Sequence, residues 1–145
     1  MSTRGRILIV VADGEHARFV QPAENHALHT IESFDAISAH QRTSDLGDDA
    51  PGATYHTGST AHHALNPRHD RHRLEMDAFC KFVARQINER DHAYERLLVI
   101  APSASNAGIV SHLKPGARTK IIGIIRKDLT KTPDHSLKDH IEYVI

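Results

Sequence analysis

Two short runs of this chain are apolar at every position, Ile7-Leu8-Ile9-Val10-Val11-Ala12 and Leu97-Leu98-Val99-Ile100-Ala101. The first is β-branched, continuous and too short for a helix, so it reads as a strand buried on both faces. The second is a strand of the same kind that stops at Pro102. Strands covered on both sides require helices to cover them, which restricts the chain to layered α/β arrangements. At 145 residues it is a single domain with room for a core that needs no staples.

The other elements are weaker. Asp13-Gly14 is a turn signal in which glycine is expected to supply a positive φ. Ala17–Val20 makes a second strand stopped by Pro22, and a third runs from about Ala27 to Phe34. Three strands with short links suggest an antiparallel meander. From about residue 37 to 70 the periodicity disappears, and a long His-rich loop is expected. A helix resumes near His72 and runs to Arg90, with Met76, Phe79, Cys80, Val83 and Ile87 facing inward at helical spacing. Ser103 is placed to cap a helix over Asn106–Leu113 that Pro115-Gly116 ends. Ile121–Ile125 is a fifth strand, and Thr132-Pro133 opens a last helix. The expected order is β-β-β-α-β-α-β-α, an α/β domain with a mixed five-stranded sheet.

Composition excludes more than it selects. Cys80 is the sole cysteine, so neither an internal disulfide nor a zinc site of paired cysteines is available. No apolar run approaches the ~20 residues that span a bilayer, and the N-terminal apolar run breaks at Asp13 before a signal peptide is complete. No membrane association and a cytoplasmic location are expected. Net charge is zero, yet residues 1–67 hold 4 basic against 8 acidic side chains while residues 68–145 hold 14 against 10. That is a mild dipole, weaker than the face of a dedicated nucleic-acid binder.

Several constellations bear on chemistry. A two-metal nuclease needs carboxylates converging on ions ~4 Å apart. Asp13 closes the first strand, but the fourth ends in Ala101-Pro102-Ser103 with no acid, and Asp128 is distant in sequence. His56, His62, His63, His69 and His72 fall within seventeen residues and are the candidate metal ligands. Their spacing is loose and lacks the paired i, i+4 set of a helical zinc site, so solvated loop histidines are the plainer reading. No serine sits in a Gly-x-Ser-x-Gly elbow, Cys80 lies on an inward helical stripe, and no Gly-rich phosphate loop occurs. No catalytic residue and no cofactor are therefore expected. Lys114, Arg118, Lys120, Arg126, Lys127 and Lys131 crowd into eighteen residues with Asp128 as the one acid. Such a cluster suits RNA phosphates, although no aromatic residue interleaves for base stacking.

The segments Val10-Val11-Ala12-Asp13-Gly14, Ala17-Arg18-Phe19, Ala101-Pro102 and Lys127-Asp128-Leu129-Thr130 together resemble the bacterial host attachment protein family. That family is similar to the middle domain of archaeal and eukaryotic peptide-release factors and of Pelota. The resemblance implies a ribonuclease-H-like plan and a non-catalytic module that binds the ribosome, RNA or a protein partner. It bears on Asp13, Arg18, Lys127, Asp128 and Thr130, and these, together with Arg118, Lys120, Arg126 and Lys131 of the basic cluster, are the expected binding residues. The chain departs from the family where Gly108-Ile109-Val110 stands in place of Gly-x-Leu-Arg, and it lacks the Gly-Gly-Gln tripeptide of true release factors. The alternative is a metal-dependent hydrolase built from Asp13, Asp128 and the loop histidines.

Overall fold

A computed structural model describes residues 6–46 and 67–144, with the backbone alone for residues 43–46 and 67–69. Strands β1 (Ile7–Ala12), β2 (His16–Pro22) and β3 (Leu28–Asp35) form the expected meander. They are followed by helices α1 (Ala36–Leu46) and α2 (Pro67–Glu89), then a 3-10 turn at Asp91–Ala93 and strand β4 (Arg96–Ile100). Helices α3 (Ser103–Ser111) and α4 (Pro115–Arg118), strand β5 (Ile121–Ile125) and helix α5 (Asp134–Ile141) complete the order. The sheet runs β3-β2-β1-β4-β5. β2 pairs antiparallel with both β1 and β3, whereas β1–β4 and β4–β5 are parallel.

Alternation along β1 divides the core in two. Leu8, Val10 and Ala12 join Phe19, Phe34, Val99 and the α2 residues Phe79, Val83 and Ile87 on one face. Ile7, Ile9 and Val11 join Leu98, Ile100 and the α5 residues Leu137 and Ile141 on the other. The sheet is therefore sandwiched between α1–α4 on one side and α5 on the other. The all-apolar β1 and β4 are its central strands, as their composition demands.

Four local expectations are corrected. The stretch from residue 36 to 46 is helical and no loop, and α2 starts at Pro67, earlier than His72. Helix α1 escapes a periodicity reading because Ala39 is its one fully buried residue among those with described side chains. What starts it is a reciprocal cap: Ser38 N–H donates to Asp35 Oδ1 at 2.7 Å, and Asp35 N–H donates to Ser38 Oγ at 3.3 Å. Pro115-Gly116 opens α4 where it was expected only to end α3, since proline suits a first helical turn. Gly14 is not in the left-handed region; a Cβ there would meet Met76 Cγ at 3.2 Å, so close approach of α2 is what favours glycine.

Candidate functional site

Because β1, β4 and β5 run parallel, their carboxyl ends meet at one edge, the place where open α/β sheets gather ligands. Three connections lie there: the turn after β1, the link from β4 into α3, and the loop between β5 and α5. The turn is held by Asp13, whose Oδ1 accepts the N–H groups of Glu15 and His16, both at 2.7 Å. Its Oδ2 faces the β5–α5 loop, 3.3 Å from Thr130 Oγ1.

That loop is tied down from several directions. Thr130 donates its hydroxyl to Asp128 Oδ1 at 2.6 Å and its N–H to the same oxygen at 3.1 Å. These two bonds hold the Asp128 carboxyl below the usual carboxylate range, with a smaller contribution from Lys131. Arg18, reaching across from β2, donates to the carbonyls of Thr130 and Thr132, and its Nε stands 3.4 Å from Asp134 Oδ1. Asp134 in turn accepts from both the N–H and the hydroxyl of Thr30 on β3, at 2.8 Å. As the first residue of α5, it also meets the positive end of the helix dipole.

Sequence proximity misled about the basic cluster. Lys114, Arg118 and Lys120 precede β5, while Arg126, Lys127 and Lys131 follow it. A five-residue strand separates the two groups by roughly 15 Å. Lys120 is committed internally: it donates to Asp91 Oδ1 at 2.9 Å and to the Tyr94 carbonyl at 3.0 Å, and lies 4.8 Å from the Tyr94 ring centre. Arg118 donates to the Ser111 carbonyl at 3.1 Å. Arg126, Lys127 and Lys131 are exposed, and among the described residues they form no salt bridge. The carboxyl-end edge thus brings together Asp13, Arg18, Arg126, Lys127, Asp128, Thr130 and Lys131, and leaves Arg118 and Lys120 elsewhere.

Of the histidines proposed as ligands, His56, His62 and His63 lie outside the described residues, as does the side chain of His69. His72 opens onto a different feature, a cleft of about 510 Å³ that Gly14, Glu15, Ile37, His40 and Met76 also line. Among the described residues no three His, Cys, Asp or Glu side chains are placed to hold a metal ion. Cys80 is buried against α3, with Sγ 3.6 Å from the Ser105 carbonyl, and burial pushes its thiol up to about 11.

The sequence reading missed three contributors: Thr30, Asp134 and Asn106. Asn106 is 2% exposed and donates its Nδ2 to the carbonyls of Ala101 at 3.1 Å and Ile125 at 3.2 Å. It so locks the ends of β4 and β5 together. The available signal was a lone amide among Ala107, Ile109 and Val110 on a short apolar helix.

These features define a three-layer α/β/α domain with a mixed five-stranded sheet, whose carboxyl-end edge carries a pinned loop and three exposed cations that form no salt bridge among the described residues. The chain belongs to the host attachment family, described as "Protein required for attachment to host cells", which it matches over residues 8–141. No curated protein matches the sequence. Among the described residues no helix is long and apolar enough to cross a membrane.

Proposed function

We propose that this protein is a non-catalytic, release-factor-like binding module that docks on RNA, in the setting of the ribosome, through the β5–α5 loop. One observation carries the reading: Arg126, Lys127 and Lys131 are exposed and, among the described residues, form no salt bridge, on a loop that Arg18, Asp13 and the Asp128–Thr130 turn hold in place. Cations fixed in advance lose little entropy on meeting phosphates, and each phosphate they neutralise releases counterions. The strand order β3-β2-β1-β4-β5, with β2 alone antiparallel to β1, supports the ribonuclease-H-like plan that such modules share. The absence of aromatic residues from the loop points to backbone contact over base reading.

The test is co-sedimentation with ribosomes at low and high salt. The wild-type chain is expected to pellet at low salt and be released as salt rises, and the triple substitution Arg126→Glu, Lys127→Glu, Lys131→Glu to stay in the supernatant. Failure of the wild-type chain to pellet at any salt concentration refutes the reading.

A metal-dependent hydrolase is the second reading, favoured by the convergence of Asp13 and Asp128 on one hydroxyl. Against it, Asp13 Oδ1 is already occupied by two turn N–H groups. Isothermal titration with Mn²⁺ decides: stoichiometric binding abolished by Asp13→Asn supports it, and no heat of binding removes it.

A further inference from the structure

Helices α1 and α2 do not close against each other along their whole length. His72, Glu75, Met76, Phe79 and Phe82 recur at helical spacing on one face of α2, and with Ala36 and Ala39 of α1 they line a cleft. Alanine at these two positions and at Ala78 is too small to fill the space between two helices, so about 510 Å³ is left. Gly14 and Met76 meet at its wall, where a Cβ on the glycine would stand 3.2 Å from Met76 Cγ. Small-molecule sites occupy about 300–1,000 Å³, and this cleft lies within that range.

Its floor and rim differ. Ala39, Phe79 and Phe82 are buried, and the two phenylalanine rings stack with their centres 6.3 Å apart. Glu15, His40, His72 and Glu75 are exposed around them. Among the described residues the carboxylates of Glu15 and Glu75 form no salt bridge, and no lysine or arginine lines the cleft. Arg42, 5.9 Å from the Phe82 ring centre, is held by Glu32.

Charge and polarity together select the ligand. An anion would face two uncompensated carboxylates. A neutral apolar body would strip water from them and put nothing in its place. A cation on an apolar body compensates both acids while its body covers the floor, and aromatic rings attract it further. In their neutral form His40 and His72 each offer one acceptor nitrogen to an ammonium N–H. We propose that the α1–α2 cleft is a binding site for a small organic cation, an amine carried on an apolar body.

The probes are phenylbutylamine and phenylbutanoate, which share a body and differ in the sign of the head group. Each is titrated into the full chain while methyl resonances are followed by NMR. The amine is expected to shift the Met76 and Ile37 methyls saturably, with a Kd at least about tenfold below that of the acid. Glu15→Gln combined with Glu75→Gln alters two exposed side chains and is expected to bring the two Kd values within about threefold. Ala78→Phe, at an exposed position, fills the cleft with a ring and is expected to abolish the amine's shifts. The double glutamine variant keeps the test decisive should Ala78→Phe not fold. Absence of saturable shifts, equal affinity for amine and acid, shifts confined to methyls elsewhere, or an amine preference that survives the double glutamine substitution overturns the proposal.

Discussion

Gly108 sits within α3 where that helix crosses α2, and replacing it sets two known effects against each other. In an unobstructed helix, Gly→Ala stabilises by about 1 kcal/mol, because alanine loses less backbone entropy. Here the new Cβ would stand 2.9 Å from Cys80 Sγ and 3.1 Å from Cys80 Cβ. The sulfur contact is at least about 0.6 Å short of a comfortable separation. Cys80 is 1% exposed, so it has no solvent to move into, and relief requires α2 and α3 to part. Overpacking of this kind costs about 2–3 kcal/mol, which exceeds the helix gain. Gly108→Ala is therefore expected to destabilise by about 1–2 kcal/mol and lower Tm by about 3–6 °C. Urea and thermal unfolding followed by circular dichroism measure it. In a Cys80→Ala background the cost of Gly108→Ala should shrink, because the sulfur is gone while the Cβ contact at 3.1 Å stays. A stabilised Gly108→Ala, or an equal cost in both backgrounds, would refute the reasoning.

Other outcomes follow from the pinned loop and the core. Arg18→Met keeps the packing of the stem but strips two carbonyls of their donor and Asp134 of its ion-pair partner; it should cost about 2–4 kcal/mol in urea unfolding. Thr130→Val removes the hydroxyl that leads in lowering the Asp128 pKa, so that pKa should rise toward 3.8 in an NMR titration. With Asp128 depressed in the folded state, its contribution to stability is present above its unfolded pKa and fades on acidification; the variant, which keeps the Thr130 N–H bond, shows less of that acid-limb loss. Cys80 behaves oppositely. Its folded pKa is raised from 9.0 to about 11, so the stability it supports is intact below pH 9 and is lost as pH climbs toward 11. Cys80→Ala should flatten that alkaline decline, on the order of 2 kcal/mol, in unfolding curves between those limits.

What could be read from sequence follows the strength of each residue's preference for burial. β1 and β4 announce themselves because no exposed strand is apolar at every position, and α2 because Phe79, Cys80, Val83 and Ile87 keep helical register. α1 was missed because it is held by Asp35 and Ser38 at its cap and by Arg42 lying 5.4 Å from the Phe34 ring and 5.9 Å from Phe82, none of which is an apolar stripe. Strand order is equally absent from periodicity, since β1 meets β4 only in three dimensions. The candidate site was half legible. Most of its residues are named from sequence, though not Thr30, Asp134 or Asn106, and their division into free and committed groups depends on partners far away in sequence. Arg18 lies 112 residues from Thr130, and Lys120 turns toward Asp91.

The placement of β1 has a consequence for how the chain is made. One side of that strand is satisfied early by its neighbour β2, a few residues on, but the other waits for Arg96–Ile100 to be synthesised. Until then a fully greasy ribbon with a bare hydrogen-bonding margin is on view, the kind of surface that sticks to other nascent chains. Quality control of this small protein therefore turns on the interval between its first strand and its fourth.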